Sequence, residues 1–175
     1  MATTMKAGKS DFSALVESRV PGLIQKIRNA ICESEARYEG ASRPRESFLW
    51  EHSTLVARFA DQLARSEGRD PLIPVITALV HDAGKFSGGE YHAGEIPEES
   101  ESARVAATLL RRSGMKAGDI RRVLAALKAL YNERARRNVV ADIVHSEQDG
   151  GLVRALRGYY GAVRLPTIVH HRRES

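Results

Sequence analysis

Apolar residues recur at three- and four-residue spacing along almost the whole chain, and that period restricts it to a packing of amphipathic α-helices. Phe12, Leu15, Val16, Leu23, Ile24, Ile27 and Ile31 mark an N-terminal helical region. Ser10 or Asp11 can cap it, because a side-chain oxygen there accepts from a free backbone N–H, and Pro21 must kink it or split it in two. Tyr38 to Glu46, with Gly40, Ser42 and Pro44, reads as a loop. From Ser47 to about Arg65, Leu49, His52, Leu55, Val56, Phe59 and Leu63 fall at helical spacing, which puts His52 on the buried stripe, pointing inward.

Asp70 is placed to cap the next helix, with Pro71 in its first position, where a missing N–H costs nothing. That helix runs through Pro74, Thr77, Ala78 and His81 and is expected to stop near Gly84 in the left-handed conformation. Lys85 to Ile96, with three glycines, Phe86, Tyr91 and His92, is too irregular for a helix and suits a substrate loop. Pro97, Glu98 and Glu99 open a helix whose exposed first-turn glutamates favour the helix dipole, and Gly114 ends it. Ile120, Val123, Leu124, Leu127 and Leu130 mark another, and Ala135 to His145 a further one. Only Ala162 to Val169 approaches period-two alternation, and Pro166 interrupts it. The expectation is an all-α, single-domain helical bundle.

At 175 residues such a bundle can bury a core without disulfides, and the single cysteine, Cys32, excludes an internal disulfide framework and a multi-cysteine zinc site. A reducing, cytoplasmic setting fits. The polar stretch Met1 to Asp11 lacks a secretory signal, and no run approaches the roughly 20 apolar residues that span a bilayer, so no membrane partner is expected. The net charge of +5 fits an anionic partner. Because the arginines (Arg104, Arg111, Arg112, Arg121, Arg122, Arg134, Arg136, Arg137) are scattered along helices, solvated faces explain them and nucleic acid is disfavoured.

The string His81-Asp82-Ala83-Gly84-Lys85 brings an imidazole, a carboxylate and an ammonium together at a helix end. Adjacent helix residues point about 100 degrees apart, so His81 and Asp82 converge only on a point at the helix end or against a neighbouring helix. A metal ion supplies such a point, and imidazole with carboxylate suits first-row divalent metals. A core histidine followed by a loop carboxylate is the alternative. An antiparallel helix pair can carry His52 to the same place.

A lone His on one helix, His-Asp ending the next, and an Asp further on resemble the HD-domain metal-dependent phosphohydrolase superfamily. The matching strings are Trp50-Glu51-His52-Ser53, Leu79 to Lys85 and Glu147-Gln148-Asp149, so the resemblance covers roughly Leu49 to Asp149. It implies one divalent metal ion (Fe, Mn, Co, Ni, Zn or Mg) on His52, His81, Asp82 and Asp149, holding water or hydroxide for attack on a phosphate ester. Asp82 and Lys85 would be catalytic, with Lys85 also pairing with the substrate phosphate as a point charge.

A one-residue shift of register would put Gln148 in the place of Asp149, Asp142 is the fallback, and Asp149 before Gly150 and Gly151 also suits a plain turn. Relatives with a Pro-Glu-Glu helix start often carry a second-metal His soon after, where this chain has Glu98-Glu99-Ser100-Glu101. Glu101 could substitute for it, but one metal is expected. Glu90 and His92 could line the substrate pocket or lie in an exposed loop. His145 reads as a half-buried structural histidine, and His170, His171, Arg172 and Arg173 as a basic tail.

The expected division is 1–46, a helical region and loop packed on the core; 47–149, the core; and 150–175, a divergent, partly disordered ending. The expected function is hydrolysis of a nucleotide or other small phosphate ester, the alternative being a degenerate domain that binds metal or nucleotide without turnover. Alarmone hydrolases of the superfamily carry acidic residues directly after His-Asp, so Ala83-Gly84-Lys85 disfavours that substrate. Oligomerisation stays open.

Overall fold

The computed structural model describes residues 11–40, 47–92 and 96–131, which form six α-helices and, among the described residues, no strand. They are α1 (Phe12–Arg19), α2 (Leu23–Tyr38), α3 (Phe48–Ser66), α4 (Leu72–Val80), α5 (Ile96–Arg112) and α6 (Ala117–Tyr131). The expected helix over Ala135 to His145, the alternation near Ala162, and Asp142, His145, Asp149 and the basic tail all lie outside the described residues. None of the described helices is long and apolar enough to cross a membrane.

Pro21 does split the N-terminal region. Asp11 caps α1 by accepting from the Ala14 N–H, and the helix ends at Arg19. Gly22 then takes φ +73°, with its N–H donated to the Glu17 carboxylate, and α2 begins. The loop expected from Tyr38 onward starts later, since α2 runs through Tyr38. Glu35, near its end, accepts a hydrogen bond from the Ser47 hydroxyl, and Ser47 in turn caps α3 by accepting from the Trp50 N–H. Burial, foremost, holds the Glu35 carboxyl above its ordinary pKa, against the lowering effect of Ser47.

The centre of the bundle is α4. All nine of its residues are buried, as expected of a helix that is apolar on every side. It packs against α3, α6, α1 and α5. The face of α3 that is buried is lined by Leu49, Ser53, Val56, Ala57, Ala60, Asp61 and Ala64. Leu55, Phe59 and Leu63, expected on the buried stripe, are instead partly buried at its margin, because small residues form the middle of the face and let another helix approach closely.

Three further helix boundaries move. Pro71 already has helical angles and its carbonyl accepts from Val75, so α4 is capped one residue later than expected, although the Asp70 carboxylate still accepts from the Leu72 N–H. Regular α4 ends at Val80, with His81 in the cap position at φ −61°, ψ −38°, and consecutive turns follow through Phe86. Gly84 is not a left-handed stop. It is required by close approach, because a Cβ there would lie 2.2 Å from the Ser102 backbone nitrogen in α5. The third boundary is the start of α5, at Ile96 and not Pro97. Gly114 does end α5 with positive φ, as expected.

Candidate metal centre

His52 projects from the second turn of α3 and His81 from the end of α4, so the packing of these two helices sets their separation, with ring centroids 5.3 Å apart. Asp82 follows in the first turn past α4. One ligand atom from each of His52, His81 and Asp82 lies within 4.8 Å of the others. His81 and Asp82 are buried and His52 is half-buried.

The protonation pattern suits a cation. The Nδ1 of His81 lies 2.7 Å from the Ala78 carbonyl oxygen, which can only accept, so Nδ1 carries a hydrogen and Nε2 is the ring atom that faces Asp82 Oδ2, at 3.4 Å. His52 has its pKa lowered to about 4, by burial first and by His81 second, against the opposing pull of Asp82. Its Nε2 lies 3.7 Å from Asp82 Oδ2, but a neutral ring makes that approach a meeting of ligand atoms and not an ion pair. Two imidazoles and a carboxylate are a fitting donor set for a divalent first-row metal. Orienting a ligating histidine through its other ring nitrogen is also what such a site requires.

Lys85 stands beside this group, its Nζ 3.7 Å from Asp82 Oδ2 and 3.6 Å from Glu98 Oε1. Burial alone would lower its pKa, but Asp82, Glu98 and Tyr91 together raise it, so the side chain is an ammonium. Glu98 corrects the sequence expectation. It is 3% exposed and faces the site, where the expectation was an exposed glutamate serving the helix dipole. Burial and the Asp82 carboxylate push its pKa up, while Lys85 pulls it down. The only sequence signal for Glu98 was its position after Pro97 in a first turn, which an exposed glutamate would share.

Glu101 is not among the three clustered ligands. It accepts from the Ser87 hydroxyl at 2.8 Å and pairs with Arg104, whose hydrogen bond is the main reason its pKa is low. His92 and Glu90 lie on the turn after Lys85. The His92 Nε2 hydrogen goes to the Ser87 carbonyl, its backbone N–H goes to the Lys85 carbonyl, and Glu90 is exposed. The structure therefore brings together His52, His81, Asp82 and Lys85, adds Glu98, and leaves Glu90 and His92 outside the ligand group.

Aromatic rings flank the centre. Phe48 stacks against His52 with centroids 6.4 Å apart, and on the Lys85 side Phe86 stacks with Tyr38 at 4.7 Å and meets Tyr91 at 5.8 Å. Tyr38, Phe48 and Tyr91 are also the large hydrophobic side chains left about half exposed among the described residues.

No curated protein and no solved structure matches the chain. The family described as "HD domain" matches residues 49–155, more than half of the chain, and the match takes in His52, His81 and Asp82. With the all-helical fold and the clustered ligands already in place, that match identifies the chain as a member of the HD-domain family, a superfamily of metal-dependent hydrolases that bind divalent metals.

Proposed function

We propose that this chain is a metal-dependent phosphohydrolase acting on a small phosphate ester, a nucleotide foremost, in the cytoplasm. The observation that carries the reading is the convergence of His52, His81 and Asp82 within 4.8 Å, with an ammonium 3.7 Å from the same carboxylate. His52, His81 and Asp82 would hold one divalent metal, and Asp149, outside the described residues, is proposed as the fourth ligand. When bound, such a cation lowers the pKa of water and offsets charge that grows on phosphoryl oxygens.

The chain's own residues supply the rest. Ala78 fixes the His81 ring through Nδ1, so that Nε2 stays available as a ligand. Asp82 brings a negative charge to the centre and draws Lys85 toward it. Lys85, about a quarter exposed, donates to a phosphate oxygen of the substrate and orients the phosphorus atom over the centre. The nucleotide class is supported by the half-exposed rings of Phe48, Tyr38 and Tyr91 on either side, since a base can stack on an aromatic face.

The test is a screen of phosphate esters against the full chain with added Mn, Co, Ni, Zn, Fe or Mg. Metal-dependent release of phosphate, highest for a nucleotide and abolished by Asp82→Asn, supports the proposal. Metal binding with no turnover of any ester would replace it with a regulatory domain that keeps the site without the reaction.

A further inference from the structure

We infer that Glu98 is a positioning residue of this site, fixing the Lys85 ammonium where a substrate phosphate docks. The inference rests on the phosphohydrolase reading, and it starts from a burial that needs a cause. Glutamate is almost never fully buried unless paired, and Glu98 is 3% exposed. Its carboxylate reaches Lys85 Nζ at 3.6 Å, on α5, a different element from the one that carries Asp82.

The fold places it there deliberately. Gly84 lets the α5 backbone approach so closely that any side chain at 84 would collide with Glu101 and Ser102. Ser102, fully buried, locks that approach by accepting the Gly84 N–H at 3.0 Å. One turn earlier on α5, Glu98 is thereby carried to Lys85.

A lysine needs such help. Its four-carbon stem is flexible, and fixing its ammonium costs rotamer entropy. With Asp82 as the only anion nearby, the ammonium would settle onto the carboxylate that is to face the metal. Glu98 offers it a second acidic partner next to Asp82, so that Lys85 lies 3.7 Å from Asp82 and 3.6 Å from Glu98 while its side chain stays 28% exposed. Glu98 is not one of the three clustered ligand atoms, but its carboxyl also hydrogen-bonds that of Asp82, so metal content is the readout that separates placing Lys85 from holding the metal.

A double-mutant cycle on the full chain tests this, using Glu98→Gln, Lys85→Met and the pair, with metal content, the Kd for inorganic phosphate on metal-loaded protein, KM and kcat as readouts. Glu98→Gln is expected to retain its metal and to weaken phosphate binding and raise KM by roughly tenfold, the scale of a lost charge-assisted interaction. In the Lys85→Met background the same change should alter phosphate binding by less than about twofold, because its target is gone.

Equal effects in both backgrounds, or loss of metal in Glu98→Gln, would overturn the inference. The first would make Glu98 merely structural and the second would make it a ligand. Should Glu98→Gln fail to fold, Glu98→Asp carries the same cycle, since it keeps the charge but withdraws it by one methylene. A parent that binds phosphate and hydrolyses no ester would sink the phosphohydrolase reading, while the cycle still decides the role of Glu98.

Discussion

An alanine at position 84 would put its Cβ 2.2 Å from the Ser102 nitrogen and 2.5 Å from the Glu101 carbonyl carbon, both backbone atoms that cannot rotate away. Gly84→Ala must therefore push α5 from the turn after His81. The expected cost is about 1–3 kcal/mol in urea denaturation, with weaker phosphate binding because Glu98 moves too. Glu35 offers a pH test at the same scale. Its folded pKa is raised above the ordinary 4.5, chiefly by burial, so the folded state binds the proton more tightly than the unfolded one. That contribution is fully present below the unfolded pKa and is lost as pH rises through the folded pKa. Glu35→Gln keeps an acceptor for Ser47 and carries no charge, so it should melt higher than the parent at neutral pH and lose that advantage in acid. His52, His81 and Asp82 were singled out by residue type and spacing together with the resemblance to the HD-domain superfamily, and Lys85 by that resemblance. Glu98 was not, because only the approach of α5 to Gly84 distinguishes it from an exposed glutamate, and that approach joins elements whose packing no local pattern encodes.

Among the helices, the small-residue face of α3 decides how near His52 comes to His81. Ala57, Ala60 and Ala64 are fully buried there, and α4 packs on this helix. Ala60→Leu inserts methylenes into a filled contact and is expected to cost about 1–3 kcal/mol in thermal or urea unfolding, and to lower metal affinity by parting the two histidines. A silent Ala60→Leu would mean that the two helices do not fix the ligand spacing. The helices themselves were legible from their period and caps: Pro21 separated α1 from α2, Ser47 opened α3 and Gly114 closed α5. The buried middle of α3 was less so, because alanine and serine carry little hydropathy signal and the eye follows Leu55, Phe59 and Leu63. The end of α4 was misread for a related reason, since a glycine after a helix suits a left-handed cap and a close contact equally well.

For the whole molecule, a buried central helix, a half-buried histidine from its neighbour and the Lys85 ammonium beside Asp82 and Glu98 meet at one candidate metal centre. Lys85→Ala is expected to keep its metal and to lose affinity for the phosphate ester, because an ammonium donates and cannot ligate a cation. Asp149→Asn should lower metal affinity by at least about tenfold if that carboxylate completes the ligand set, while Asp142→Asn does little. The most direct measurement is the metal content of purified parent and His81→Ala proteins by elemental analysis, with circular dichroism to establish that both are folded. About one equivalent of a divalent transition metal is expected in the parent, with a loss of at least about tenfold in affinity in His81→Ala. A well-folded His81→Ala protein with unchanged metal content would contradict the metal assignment.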